Sequence, residues 1–265
     1  MISTASKQFF FRILARLFKK INKKSVMKNV IFSALIIASA ILTGCNKGGG
    51  SFTDARVKKV SSQRGFTEYT YTPENKIKSV KSSDGSTTTY TYKDKTISQL
   101  RADSVHGMFI TSSIFLNAAG LADSSVASDP SGTYVELYAH DANGNISQTK
   151  DVISGHLYNA SNSVFKDGNE VSRIITDSTS KPRVSLFFDY YADKVNSAGY
   201  QNMGMQFLGN DSKNLMKKFV QVLPSGDTIR VMSFNYHYDE KGRVSQKAVY
   251  DNHGMLADST SYSYY

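Results

Sequence analysis

The stretch "YHYDEKGRVSQKAVYDNHGML" (residues 236–256) says one phrase twice, and its reading decides the fold. Tyr238-Asp239-Glu240-Lys241-Gly242-Arg243-Val244 and Tyr250-Asp251-Asn252-His253-Gly254-Met255-Leu256 both run Tyr-Asp-x-x-Gly-x-apolar. An Asp bonds the backbone locally, and a Gly takes positive φ without a Cβ clash, so Asp-x-x-Gly reads as a turn. A partial third copy is Asp141-Ala142-Asn143-Gly144-Asn145-Ile146, with weaker echoes at Leu116 ("LNAAGLA") and Phe165 ("FKDGNEV").

Around these turns the chain alternates with period two, the mark of half-buried strands. "TEYTYT" (67–72), "STTTYTY" (86–92), "TYVELYA" (133–139) and "FNYHY" (234–238) are the clearest runs. Further turn clusters lie at Ser83-Asp84-Gly85-Ser86, Lys166-Asp167-Gly168-Asn169 and Pro224-Ser225-Gly226-Asp227. Only "NDSKNLMKKFVQVL" (210–223) offers a helix start, and its second half suits a strand equally well. One hairpin cannot bury its own face, so turns about ten residues apart build an up-and-down antiparallel meander of roughly twelve to sixteen strands. The expected fold is all-β: a strongly curved sheet or incomplete barrel over residues 53–265, preceded by an N-terminal signal helix.

A lipid-embedded wall needs an apolar side chain at every second position for about 9–11 residues. "SSDGSTTTYTYKDK" and "KDVISGHLYNASNS" carry charge or Ser on both faces, against such a wall.

The formal charge of +10 comes from the front of the chain. Residues 1–45 hold eight Lys or Arg and no acid, which leaves 24 basic against 22 acidic residues afterwards. The body therefore has no electrostatic case for nucleic acid. Residues 1–26 form a basic amphipathic segment, either an upstream extension or a long n-region. Residues 27–44 read as a complete signal, with the uncharged run "VIFSALIIASAILT" too short for a spanning helix. The only cysteine, Cys45, follows directly, and "NKGGGS" behind it makes a flexible tether within residues 45–52. Leu42-Thr43-Gly44-Cys45 resembles the lipobox of bacterial lipoproteins. The resemblance implies recognition of Leu42, Thr43 and Gly44, cleavage before Cys45, and acylation of its thiol and new amino terminus. Two or more acyl chains give stable anchoring where one does not. In that family Asn46, in place of Asp, implies the outer membrane, on either its periplasmic or its surface side.

The repeated phrase, preceded by Tyr-x-Tyr in "YHYDEKGRV", resembles the YD repeats of Rhs-type bacterial proteins. That likeness implies that Tyr238, Tyr250 and the distal apolar residues pack inward, while Asp239 to Gly242 and Asp251 to Gly254 make the turns. Together with the lipobox, the body is also similar to bacterial lipoproteins carrying a domain of unknown function described as porin-like.

Motifs for chemistry are sparse. His106, His140, His156, His237 and His253 have no paired metal spacing, and "DANGN" (141–145) reads as a turn before it reads as a calcium loop. There is no G-x-S-x-G elbow and no phosphate loop opening a helix. We expect no cofactor, no metal and no catalysis. The leading role is a lipid-anchored binding or structural module of the envelope, its partner beyond the membrane being a glycan, a peptide or an envelope protein. The alternatives are a carrier whose apolar cavity is lined by "GMQFL" (204–208) and "SLFFDYY" (185–191), and an envelope hydrolase with converging acids.

Overall fold

A computed structural model describes residues 56–103, 107–129 and 132–265. The basic segment, the signal, the Leu42-Thr43-Gly44-Cys45 box and the tether lie outside the described residues.

The body is sixteen antiparallel strands in chain order. They are β1 (Val57–Ser62), β2 (Gly65–Tyr71), β3 (Ile77–Ser82), β4 (Ser86–Lys93), β5 (Thr96–Asp103), β6 (Met108–Leu116), β7 (Ala122–Asp129) and β8 (Gly132–His140). The second half is β9 (Ile146–Ile153), β10 (His156–Lys166), β11 (Asn169–Asp177), β12 (Pro182–Val195), β13 (Asn214–Val222), β14 (Thr228–Tyr238), β15 (Val244–Tyr250) and β16 (Leu256–Tyr264). Every strand pairs with its sequence neighbours, and β1 pairs with β16, so the sheet is a closed barrel.

Closure corrects the expectation of a curved sheet or incomplete barrel. An open meander leaves two edges of unpaired N–H and C=O groups. Here "VKKVSS" and "STSYSY" alternate in matching register, Val60 opposite Tyr262 and Ser62 opposite Thr260, so each edge satisfies the other. The helix start at 210–223 is also corrected: residues 210–213 end a loop, and β13 follows from Asn214.

The turns after β2, β6, β8, β11, β13, β14 and β15 share one geometry. In each, a residue such as Asp141 receives the N–H three positions on, and its own N–H bonds the carbonyl four positions on. Asp141, Asp177, Asp239 and Asp251 add a carboxylate oxygen that accepts the N–H groups at i+2 and i+4. Gly144, Gly242 and Gly254 take the positive φ that closes the loop into a bulge, the usual form of a three-residue hairpin. The two copies of the phrase share this turn but not their packing. Val244 is fully buried, whereas Leu256 is 55% exposed and Tyr238 is 40% exposed. The inward packing implied for both copies therefore holds for Val244 and fails for Leu256.

The reason is that the two rims differ. Even-numbered strands end at one rim and odd-numbered strands at the other. The long β12–β13 connection, residues 196–213, crosses the first rim with two short 3₁₀ turns, Tyr200–Met203 and Gln206–Leu208. It is fastened to several hairpin turns around the circumference. Ile77 N–H donates to Gly204 O (3.0 Å), Asn210 N–H to Gly144 O (3.0 Å), Lys213 N–H to Gly168 O (2.9 Å) and Val244 N–H to Ser197 Oγ (2.9 Å). Phe207 is buried against Ile77, Ile97, Ile114 and Ala122, with Tyr69, Tyr90, Tyr92 and Tyr138 around them. Sixteen strands enclose a space too wide for wall side chains to fill. The segment therefore forms a floor, and the core sits where floor meets wall.

Candidate functional site

The floor contact fixes which face of each strand points inward, and the cross-strand register carries that assignment around the barrel. Tyr90 and Tyr92 on β4 face in, opposite Gln99 and Ile97 on β5. Leu186, Phe188 and Tyr190 of "SLFFDYY" face in on β12, while Phe187 is 47% exposed outside.

One break in the alternation builds the site. A strict two-residue period would put Glu170 and Arg173 on opposite faces of β11. The ladder slips by one residue there: Val164 pairs with Ser172 but Phe165 pairs with Glu170, leaving Val171 unpaired. This bulge turns both charged groups into the lumen, a common use of bulges. Arg173 then grips Glu170 with two parallel bonds, Nε to Oε1 at 2.7 Å and Nη2 to Oε2 at 2.8 Å. Ser163 Oγ donates to Oε1 at 2.6 Å. Such forked, charge-assisted pairing is strong and geometrically specific.

Two chambers of about 340 and 380 Å³ rest on the floor beside this pair and share Glu170, Arg173, Tyr200, Asp211 and Ser212. The first is bounded by Glu136, Tyr138, Thr149, Ser161 and Phe165. Tyr138 OH donates to Glu136 Oε2 at 2.7 Å, and the Thr149 and Ser161 hydroxyls meet at 2.8 Å. The second is bounded by Phe188, Tyr190, Tyr236, Tyr262 and Lys247. Tyr190 OH lies 2.9 Å from Ser212 Oγ. Burial raises the hydroxyls of Tyr138, Tyr190, Tyr200, Tyr236 and Tyr262, so all five stay neutral donors at physiological pH. Burial also pulls Lys247 below the usual lysine range, partly countered by Asp258.

Asp211 is the buried acid of the floor. Burial raises its carboxyl above the ordinary 3.8, against the pull of the Ser212 and Tyr200 N–H groups. The folded chain then holds a proton that the unfolded chain has released, so this residue makes stability fall as pH rises above 3.8 through the folded value. The turn carboxylates Asp141, Asp177 and Asp239, held below their usual range, act in the opposite sense as pH falls. We expect Asp211→Asn to separate the two. The melting temperature of the variant minus that of the wild type should climb as pH rises above 3.8, then level off once the folded carboxyl has ionised. A flat difference would show that Asp211 titrates normally.

Asp239 and Gly242 stand on the floor rim, whereas Asp251 and Gly254 stand on the opposite rim. The repeat residues do not converge on one site. Asp141 is spent within its own turn, with Oδ1 on two backbone N–H groups and Oδ2 on Asn145 Nδ2. The described residues contain no group of three or more candidate metal ligands.

This chain shares its fold with two porin-like proteins. One, from Bacteroides uniformis ATCC 8492, aligns with 80% of this chain and 99% of its own at 14% identity, with a TM-score of 0.58. The other, from Bacteroides vulgatus ATCC 8482, aligns with 79% of this chain and 98% of its own at 15% identity, with a TM-score of 0.55. No family model and no curated protein matches the sequence. At such identities the likeness establishes the barrel and leaves the lumen chemistry to this chain's own residues.

Proposed function

We propose that this protein is a lipid-anchored outer-membrane protein whose barrel is a closed-bottomed, non-catalytic binding vessel, not a channel. The floor carries the reading. Residues 196–213 cross one rim, tied by backbone bonds to three hairpins and through the Ser197 hydroxyl to a fourth, and the ligand-sized chambers sit directly above them.

Over β1 to β4, in contrast to β5 to β12, where Leu100, Phe109, Phe115, Leu137, Ile174 and Phe187 lie exposed, the outer wall suits a barrel bathed in water. Lys59, Ser61, Glu68, Thr70, Lys81 and Thr89 face outward on β1 to β4, with Lys59 and Glu68 paired at 3.0 Å. A lipid-facing wall carries an apolar band there. The acids of the lumen are engaged by their own neighbours, which supports binding over catalysis: Glu136 is held by Tyr138, Glu170 by Arg173 and Ser163, and Asp211 by the Ser212 and Tyr200 N–H groups. Charged and hydroxylic lining also disfavours a carrier of lipid, since a methylene chain would strip those groups of water without replacing the bonds. Arg56, where the described barrel begins, is on the floor rim, bonded through its carbonyl to Tyr265 N–H. Ten residues of sequence lie between it and Cys45.

The test is expression in a Gram-negative host fed an alkynyl fatty acid, followed by planar-bilayer recording of the purified full chain. The expected result is label on the wild type, none on Cys45→Ala, release of that variant from membranes, and no conductance steps. Stable conductance, or an unlabelled and uncleaved wild type, would overturn the proposal.

A further inference from the structure

We infer that the two floor chambers together bind a short uncharged oligosaccharide that enters through the open mouth. This rests on the reading of the barrel as a binding vessel and adds the chemistry of what it holds.

A sugar ring presents two surfaces at once: a face of C–H groups and a rim of hydroxyls that both donate and accept. Each chamber offers the complement of both. The apolar faces belong to Tyr138 and Phe165 in the first chamber and to Tyr190, Tyr236 and Tyr262 in the second. Between them stand acceptors (Glu136, Glu170), donors (Arg173, Lys247) and two-way hydroxyls (Ser161, Ser212). Tyr200 rises from the floor bordering both chambers, 41% exposed, where one ring can rest while its neighbours reach either side. The polar groups are already oriented: the Glu170–Arg173 fork, Tyr138 on Glu136, and Tyr190 beside Ser212. Pre-positioning of this kind lowers the ordering cost of binding. The shared volume falls in the range of small-ligand sites.

Other ligand classes meet obstacles in the same chambers. An extended peptide gains affinity by adding to a free strand edge, and pairing of β1 with β16 leaves none. A dense anion would face Arg173 already neutralised by Glu170. A fatty acyl chain would bury that ion pair and Lys247 against hydrocarbon.

The experiment uses the full chain, titrated by calorimetry with neutral di- to tetrasaccharides of glucose, mannose, galactose and N-acetylglucosamine, and in parallel with N-phenylnaphthylamine as an apolar probe. At least one saccharide should bind, with its ring C–H protons receiving saturation from tyrosine protons by NMR. Tyr200→Ala should weaken it tenfold or more, and Lys247→Gln measurably, while Phe109→Ala on the outer wall changes nothing. If Tyr200→Ala fails to fold, the NMR contact and Lys247→Gln carry the test. Binding of the apolar probe alone, displaced by palmitate, would overturn the saccharide while leaving the vessel standing. Binding of neither would overturn both. Saccharide binding indifferent to Tyr200 and Lys247 would place it outside the chambers and overturn the inference.

Discussion

Gly209→Ala releases the floor and costs about 3 kcal/mol, the sum of a backbone conformation essentially reserved for glycine and two lost hydrogen bonds. Gly209 has φ 87° and ψ −157°. A Cβ there would overlap the carbonyl oxygen of Gly144 and approach His140 Cδ2 to 3.1 Å. Neither neighbour can yield. Gly144 O is the acceptor for Asn210 N–H, the bond that ties the floor to the β8–β9 turn, and the imidazole is hemmed in beside it. The chain must lift away, and Asn210 Nδ2 then also loses Asn143 O. Gly226 is the control: its φ is 92°, yet nothing lies within 4 Å of a Cβ built on it. Gly226→Ala should cost only the left-handed strain of about 1–2 kcal/mol. Chemical denaturation of both variants, with hydrogen exchange over residues 196–213, checks this. Equal losses at the two glycines would mean that the floor tie contributes nothing.

Local features of this fold are legible in the sequence because local chemistry specifies them. Asp239 and Gly242, or Asp251 and Gly254, lie within four residues of every group they bond, so the phrase foretells the turn. The period-two runs at 86–92 and 133–139 fall within β4 and β8. Closure is different in kind. It depends on Val57 finding Tyr264, a pairing that no local window contains. The site is harder still. Nothing in "KDGNEVSR" announces that Val171 will be extruded, yet that single slip places Glu170 and Arg173 side by side. The floor, "NSAGYQNMGMQFLGNDSK" (196–213), has no periodicity and reads as one long loop. Its hydrophobic contribution to the core, Phe207, is visible only once the barrel is there to receive it. Of the two segments expected to line a cavity, "SLFFDYY" does so on alternate residues, while "GMQFL" contributes Leu208 and spends Phe207 on the wall.

Phe207→Ala should be the companion loss, about 3–5 kcal/mol for an aromatic side chain removed from a packed site. Phe207 is 8% exposed, and its neighbours Ile77, Ile97 and Ile114 sit on strands whose ladders hold them in place. Those strands cannot collapse into the vacated space, so the cavity persists and the upper part of the range applies. Phe207→Leu refills most of the volume and should recover more than half of the loss. On the outer wall, Phe109 is 72% exposed, and Phe109→Ala should stay within about 0.5 kcal/mol of wild type. The decisive measurement is the double variant. If Gly209 and Phe207 both act by docking one floor, the first substitution removes the contacts that the second would have lost. The combined cost then falls short of the sum by 1 kcal/mol or more, as coupled neighbours do. Strict additivity would mean that Phe207 stabilises the wall on its own and the floor is held elsewhere.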